Sequence, residues 1–190
     1  METCFSISHA GVGDGSANWP ISGNKIGNGW NFKQVFAGAD GAIYAIQGNG
    51  DMLLYKHAGF ADGSANWPIS GKTIGNGWNF KQVFAGAAGD IYAIQENGDM
   101  LFYKHAGVLD GSANWPISGK KIGNGWNFKQ VVAGTDGAIY AIQENGDMLF
   151  YEHASFEDGS ATWPISGKKI GKGWNFKQVF SGLWYVPIIR

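Results

Sequence analysis

The chain has a single cysteine, Cys4, among 190 residues. One thiol cannot close an internal disulfide, so no covalent framework is expected. Proline is scarce at five residues. Charge is scarce as well: acidic and basic side chains make up 15% of the chain, against roughly 25% in an average globular protein. The formal net charge is -1. A chain without a basic excess cannot neutralise a row of phosphates, which argues against a nucleic-acid partner. The longest apolar run, residues 183–189, is too short to span a bilayer, so no membrane insertion is expected. The start, Met-Glu-Thr-Cys, has no basic segment followed by an apolar one and does not read as a signal peptide. With the lone thiol, this sets the expectation of a cytoplasmic protein, or one released without a signal peptide.

Two residue types are abundant. Glycine contributes 31 residues and tryptophan nine, and aromatics reach 15%. Glycine-rich disordered chains lack aromatic and β-branched residues. Here glycine separates short apolar and aromatic runs, the pattern of an all-β protein with tight turns.

Self-similarity dominates the sequence. Trp19, Trp67, Trp115 and Trp163 are spaced by 48, as are Trp30, Trp78, Trp126 and Trp174, and His9, His57, His105 and His153. Residues 30–77 differ from 78–125 at only 40, 42, 48, 54, 60, 61 and 73. Four periods of 48 make 192, against the 190 present, so repeats fill a single domain, 1–190. Each unit reads as four short strands. In 78–125 these are expected at 80–85, 91–95, 100–105 and about 115–122, with an Asn97-Gly98 hairpin between the second and third. No segment carries a helical apolar period. Four strands in a period of 40–50 residues point to a β-propeller blade.

The chain starts in mid-unit. Residues 3–9 and 19–26 align with third and fourth strands. Three full blades follow, 30–77, 78–125 and 126–173. Residues 176–181 form the next first strand, and 183–190 leave the repeat but supply an apolar run for a second. The expectation is sixteen strands in four blades, the last a composite of 174–190 and 1–29, closed between the two chain ends. Pooling of blades in a homo-oligomer is the alternative.

The run Ile-Gly-Asn-Gly-Trp-Asn-Phe-Lys-Gln-Val-Phe at 74–84, with Gly-Asp-Ile-Tyr-Ala-Ile at 89–94, Leu-Phe-Tyr-Lys at 101–104 and Asp-Gly-Ser-Ala-Asn-Trp at 110–115, resembles a blade of the tachylectin β-propeller lectins. The resemblance covers essentially all of 3–182. It implies a lectin that binds N-acetylglucosamine or N-acetylgalactosamine, one sugar per blade, between neighbouring blades. The site it implies uses the long outer loop and the turn after the innermost strand of the adjacent blade. This chain holds four blades' worth of strands where such lectins have five.

The outer loop carries Asp14, Asp62, Asp110 and Asp158 in register, then Asn18, Asn66 and Asn114, with Thr162 in the fourth copy, then Trp19, Trp67, Trp115 and Trp163. A sugar offers an apolar ring face and a rim of hydroxyls, which an aromatic face with carboxylate and amide groups can meet. The first turn adds Gly38 and Asp40, Gly86 and Asp90, and Gly134 and Asp136. Glycine there lets backbone polar groups approach an acetamido group. Both loops lie on one face of an antiparallel blade and can converge. The Asp-Gly-Ser run has a second reading as turn chemistry, with the carboxylate bonded to its own backbone. The Trp30, Trp78, Trp126 and Trp174 series, beside Gly-Asn-Gly or Gly-Lys-Gly, is read as packing at the blade crossing.

Up to four weak, equivalent sites for N-acetylhexosamine glycans are thus expected, the one with Thr162 being the poorest. The repeated histidines read as satisfied polar residues at strand ends, not as metal ligands. The Asn-Gly-Asp hairpins lack the alternating acidic ligands of a calcium loop. No metal and no cofactor is expected. Catalysis needs a unique constellation, and almost every polar residue here recurs in symmetry, so an enzyme is not expected. The competing class is a structural or protein-interaction propeller. Near-identical loops favour a small repeated ligand over an asymmetric partner.

Overall fold

The computed structural model describes residues 2–8, 10 and 13–179. Among them are fourteen strands and no helix. They are β1 (Thr3–Ser8), β2 (Ile21–Asn28), β3 (Gln34–Ala37), β4 (Ala42–Ile46), β5 (Met52–Lys56), β6 (Ile69–Gly75), β7 (Gln82–Ala85), β8 (Asp90–Ile94), β9 (Met100–Lys104), β10 (Ile117–Gly123), β11 (Gln130–Ala133), β12 (Ala138–Ile142), β13 (Met148–Glu152) and β14 (Ile165–Gly171). They form three four-stranded sheets in sequence order, β3 to β6, β7 to β10 and β11 to β14, and a two-stranded sheet of β1 and β2. Pairing is antiparallel. The chain is an all-β propeller protein built of such blades. The expected fifteenth and sixteenth strands and their closure fall largely on 180–190, outside the described residues. Residues 176–179 carry no strand pairing.

Each blade is made by local chemistry. In the second hairpin the Asn97 side chain accepts the Asp99 N–H at 2.9 Å, and Gly98 takes φ 83°. That left-handed residue is what an Asn-Gly turn supplies without steric cost. The fourth strand pairs irregularly, with register shifts between Ile117 and Lys120 and between Lys121 and Gly123. It starts at Ile117 and not at Trp115, because the loop tryptophan is drawn into side-chain contacts described below.

Contacts divide the chain into two units, one of residues 1–35 and 40–78, the other of 36–39 and 79–190. In the first, Ala45, Ile46, Met52 and Leu54 are fully buried between strands. In the second, a core of Phe84, Tyr92, Met100, Phe102, Val131 and Ile139 fills the space between the two blades. The second strand of a blade is covered on both faces: Ala45 and Ile46 are consecutive and point to opposite sides, and β8 is buried at every position.

The first turn of each blade requires one residue at positive φ before its glycine: Asp40 at 55°, Ala88 at 50° and Asp136 at 54°. Aspartate tolerates this conformation and alanine does not. Replacing Ala88 by Asn is therefore expected to stabilise the protein by about 0.5–1 kcal/mol, read from urea denaturation midpoints. A loss of stability would show that the turn is not strained at Ala88.

Candidate functional site

The outer loop is held from within. Asp62 Oδ1 accepts the Ser64 N–H at 2.9 Å, and Asp158 Oδ1 accepts the Ser160 N–H at 2.8 Å. Asp14 and Asp110 make the same bond to Ser16 and Ser112. These backbone and serine hydroxyl donors hold the carboxyls of Asp14, Asp62 and Asp158 below the usual carboxylate range. The asparagine acts through its backbone: the carbonyl of Asn66 accepts the Ala58 N–H, and Thr162 does the same for Ala154. A threonine there keeps the loop closed. The exposed side chains of Asn18, Asn66 and Asn114 sit just before the loop tryptophans.

The histidine at the end of the third strand braces this loop. His57, His105 and His153 are buried, and each Nε2 lies 2.9 Å from a loop carbonyl, of Ser64, Ser112 and Ser160 respectively. The backbone N–H of the same histidine bonds the glycine of the first turn, His57 to Gly41, His105 to Gly89 and His153 to Gly137. The first turn and the outer loop of one blade therefore do converge, with the histidine between them. Its ring packs on the loop tryptophan, tilted for His57–Trp67 at 4.7 Å and His153–Trp163 at 5.0 Å and stacked for His105–Trp115 at 4.5 Å between centroids.

The tryptophan then reaches across to the preceding sheet. Trp67 Nε1 donates to the Ile26 carbonyl and Trp163 Nε1 to the Ile122 carbonyl, each at 2.8 Å. Beside each bond lies a cavity. In the first unit it measures about 260 Å³. One wall is the end of β2, Gly27, Asn28 and Gly29; the others are Trp30 and Phe32 from the crossing, Tyr55 of β5, Trp67 and Ser70. In the second unit a cavity of about 270 Å³ has the equivalent residues: Gly123, Asn124 and Gly125, then Trp126, Phe128, Tyr151, Trp163 and Ser166.

The aromatic rings pack against one another in a contiguous cluster. Trp126 lies 4.5 Å from Tyr151 and 5.4 Å from Trp163 between ring centroids. In the first unit the corresponding distances from Trp30 are 4.7 and 5.5 Å. The crossing tryptophan fits because the strand before it ends in glycine: a Cβ on Gly123 would stand 2.5 Å from Trp126 Nε1. Its backbone N–H is tied to a hairpin glycine, Trp126 to the Gly98 carbonyl. The packing reading of this series fits Trp126, only 5% exposed, yet its ring also faces a cavity.

Of the loop and turn residues singled out in the sequence, the two cavities bring in Trp67 and Trp163. Gly38, Asp40, Gly134 and Asp136 line neither. Trp19 is half exposed. The crossing tryptophans Trp30 and Trp126, read from the sequence as packing, line the cavities too, and Phe32, Phe128, Tyr55, Tyr151, Ser70 and Ser166 were not singled out there. Their signal was the shared period of 48, which marks core and cavity alike.

Asp90 stands apart. It replaces the alanine of the other two blades, is 4% exposed, and pairs with Lys104 at 2.6 Å. Burial outweighs that pairing and lifts its carboxyl to about 6. The folded state thus binds the proton more tightly than the unfolded chain. This contribution is fully present below the unfolded value near 4, and it is lost as pH rises through about 6. Asp90→Asn is expected to remove that segment of the stability-versus-pH curve, measured by urea denaturation at steps across the window. An unchanged slope would place the titration elsewhere.

Among the described residues no group of three metal-ligating side chains occurs, and no helix is long and apolar enough to cross a membrane. The sequence profile of the Tachylectin family matches residues 5–156. No curated protein matches the chain. A solved symmetrical protein, described for its de novo evolutionary emergence under folding constraints, superposes with a TM-score of 0.56 at 21% identity, over 87% of this chain and 70% of its own. That likeness concerns fold alone. Prp20p of Saccharomyces cerevisiae gives a TM-score of 0.41 at 14% identity, over 83% of this chain and 41% of its own, too distant to carry an argument.

Proposed function

From the premise that the chain belongs to the Tachylectin family, we propose that it is a multivalent carbohydrate-binding protein that recognises N-acetylated hexosamines, without catalysis. The observation that carries this reading is the recurrence of one aromatic cavity in both units, with the same residue types in the same places. A pyranose ring lays its apolar face on an indole, here Trp67 or Trp163, which Trp30 or Trp126 backs from the side. Its hydroxyls meet the hydroxyls of Tyr55 and Ser70, or Tyr151 and Ser166. The acetamido group suits the backbone at 27–29 or 123–125, where glycine leaves amide and carbonyl groups unshielded by side chains. The loop aspartates serve by fixing the loop that carries the tryptophan, and the exposed asparagines beside it are offered as further ligand contacts.

An N-acetylhexosamine has roughly 15 non-hydrogen atoms. At about 0.3 kcal/mol per atom each cavity would bind with a Kd on the order of 0.5 mM. Calorimetry with N-acetylglucosamine and N-acetylgalactosamine tests this directly. Millimolar or tighter binding with more than one site per chain is expected. Absence of heat at tens of millimolar sugar would leave the interaction-scaffold reading in its place.

A further inference from the structure

His153 is fully buried, and its two ring nitrogens address two different blades of the second unit. Nε2 meets the Ser160 carbonyl of its own loop at 2.9 Å. Nδ1 lies 3.1 Å from the Tyr92 hydroxyl on β8 of the preceding blade. A carbonyl can only accept, so Nε2 carries the single proton of the neutral ring, and Nδ1 accepts from Tyr92. The same ring packs against Trp163, tilted at 5.0 Å, and Trp163 lines the cavity at 122–166. Trp163 is thus fixed at two points, by His153 and by the Ile122 carbonyl.

We propose that His153 is a positioning residue for this cavity and that occupancy of the cavity is proton-gated: neutral imidazole holds Trp163 in the wall, and imidazolium releases it. The identity of the ligand rests on the carbohydrate reading above; the gating does not.

The physical case is one of proton placement. A second proton must go on Nδ1, facing the Tyr92 O–H. Tyr92 is 1% exposed, so its hydrogen loses its acceptor when it turns away. The new charge is also cut off from water, because His153 is fully buried beside the rings of Phe102, Tyr92 and Trp163. Burial accordingly holds His153 below the usual histidine value. The loop works against this: the Ser160 carbonyl and the Asp158 carboxylate favour the charged ring. Farther out, Asp90 on β8 acts on Tyr92, and it is itself paired with Lys104 of β9 and faced by Glu157. Because the assembled site lowers the proton affinity of His153, protons must favour the open loop. The contribution is complete above the unfolded histidine value and is lost as pH falls through the depressed one.

The test needs no ligand in its first arm. On the isotope-labelled full chain, NMR follows the His153 ring nitrogens and the Trp163 indole N–H from about pH 7.5 to about 4.5. Expected are a proton on Nε2 at neutral pH and an indole resonance that leaves its bonded position with the His153 midpoint. His153→Gln keeps a donor for the Ser160 carbonyl but cannot titrate. In it the Trp163 resonance should no longer move with pH. In the second arm, calorimetry with N-acetylglucosamine should show the affinity of the parent falling about fivefold or more between about pH 7 and 5, with the variant flat. A proton on Nδ1, a Trp163 resonance that ignores His153, or a variant that retains the midpoint overturns the gating. Should the variant not fold, the parent titration alone decides. Absence of sugar binding at every pH overturns the carbohydrate reading, and the ligand-free resonances still decide the gating.

Discussion

Replacing Trp67 and Trp163 together by leucine is expected to weaken binding to a surface dense in N-acetylglucosamine by about 10²-fold. Each indole supplies one face of a cavity. Loss of a stacked ring is worth about 1.4 kcal/mol, or tenfold per site. When two sites on one chain engage the same surface, the factors multiply. Each single replacement should cost about tenfold. Leucine keeps an apolar side chain under His57 or His153, so the far-UV spectrum should stay that of the parent. Surface plasmon resonance on a glycan-coated chip measures the effect. Undiminished binding by a folded double variant would remove the cavities from the functional reading.

The largest stability effect is expected at Gly137. It adopts φ 74°, and a Cβ there would run into the His153 backbone carbonyl. Alanine meets two costs: about 1–2 kcal/mol for the left-handed backbone, and about 1–3 kcal/mol for displacing packed main chain. The expected loss for Gly137→Ala is about 3 kcal/mol or more, a drop in Tm of roughly 6–12 °C for a chain of this size. Gly125 is the control. It has φ 73° with nothing near its absent Cβ, so Gly125→Ala should cost only the backbone part. Equal losses at both positions, compared by thermal denaturation, would show that the His153 contact carries no energy.

The blade was legible because its signals are local. Asn-Gly pairs, short apolar runs and a fixed period place β8, β9 and β10 within two residues of their observed bounds. The first strand starts later than expected, at Gln82. Aromatic residues such as Phe80 read as strand, yet in the crossing they turn toward the strand-three tyrosine, 6.2 Å away for Phe80 and Tyr103. The cavity was not legible, because its walls come from far apart in the chain: Trp163 bonds a carbonyl 41 residues earlier. Repetition also hid it. When every position recurs, a residue that packs and a residue that binds leave the same mark. Both readings of the loop aspartate were stated; the bond to Ser64 shows the turn chemistry directly. His57, His105 and His153 are the satisfied groups expected, but nothing in the sequence says that each lies against a tryptophan.

The indole bond from Trp163 to Ile122 means that a cavity belongs to a junction and not to a blade. Unequal recombination between near-identical copies exchanges DNA in whole multiples of the repeat. Such an event inserts or removes a junction with both of its walls already matched. Avidity would then be heritable as copy number, changing in discrete steps while the chemistry of each remaining site stays constant. A population of genes of this kind could explore valence without passing through broken binding sites.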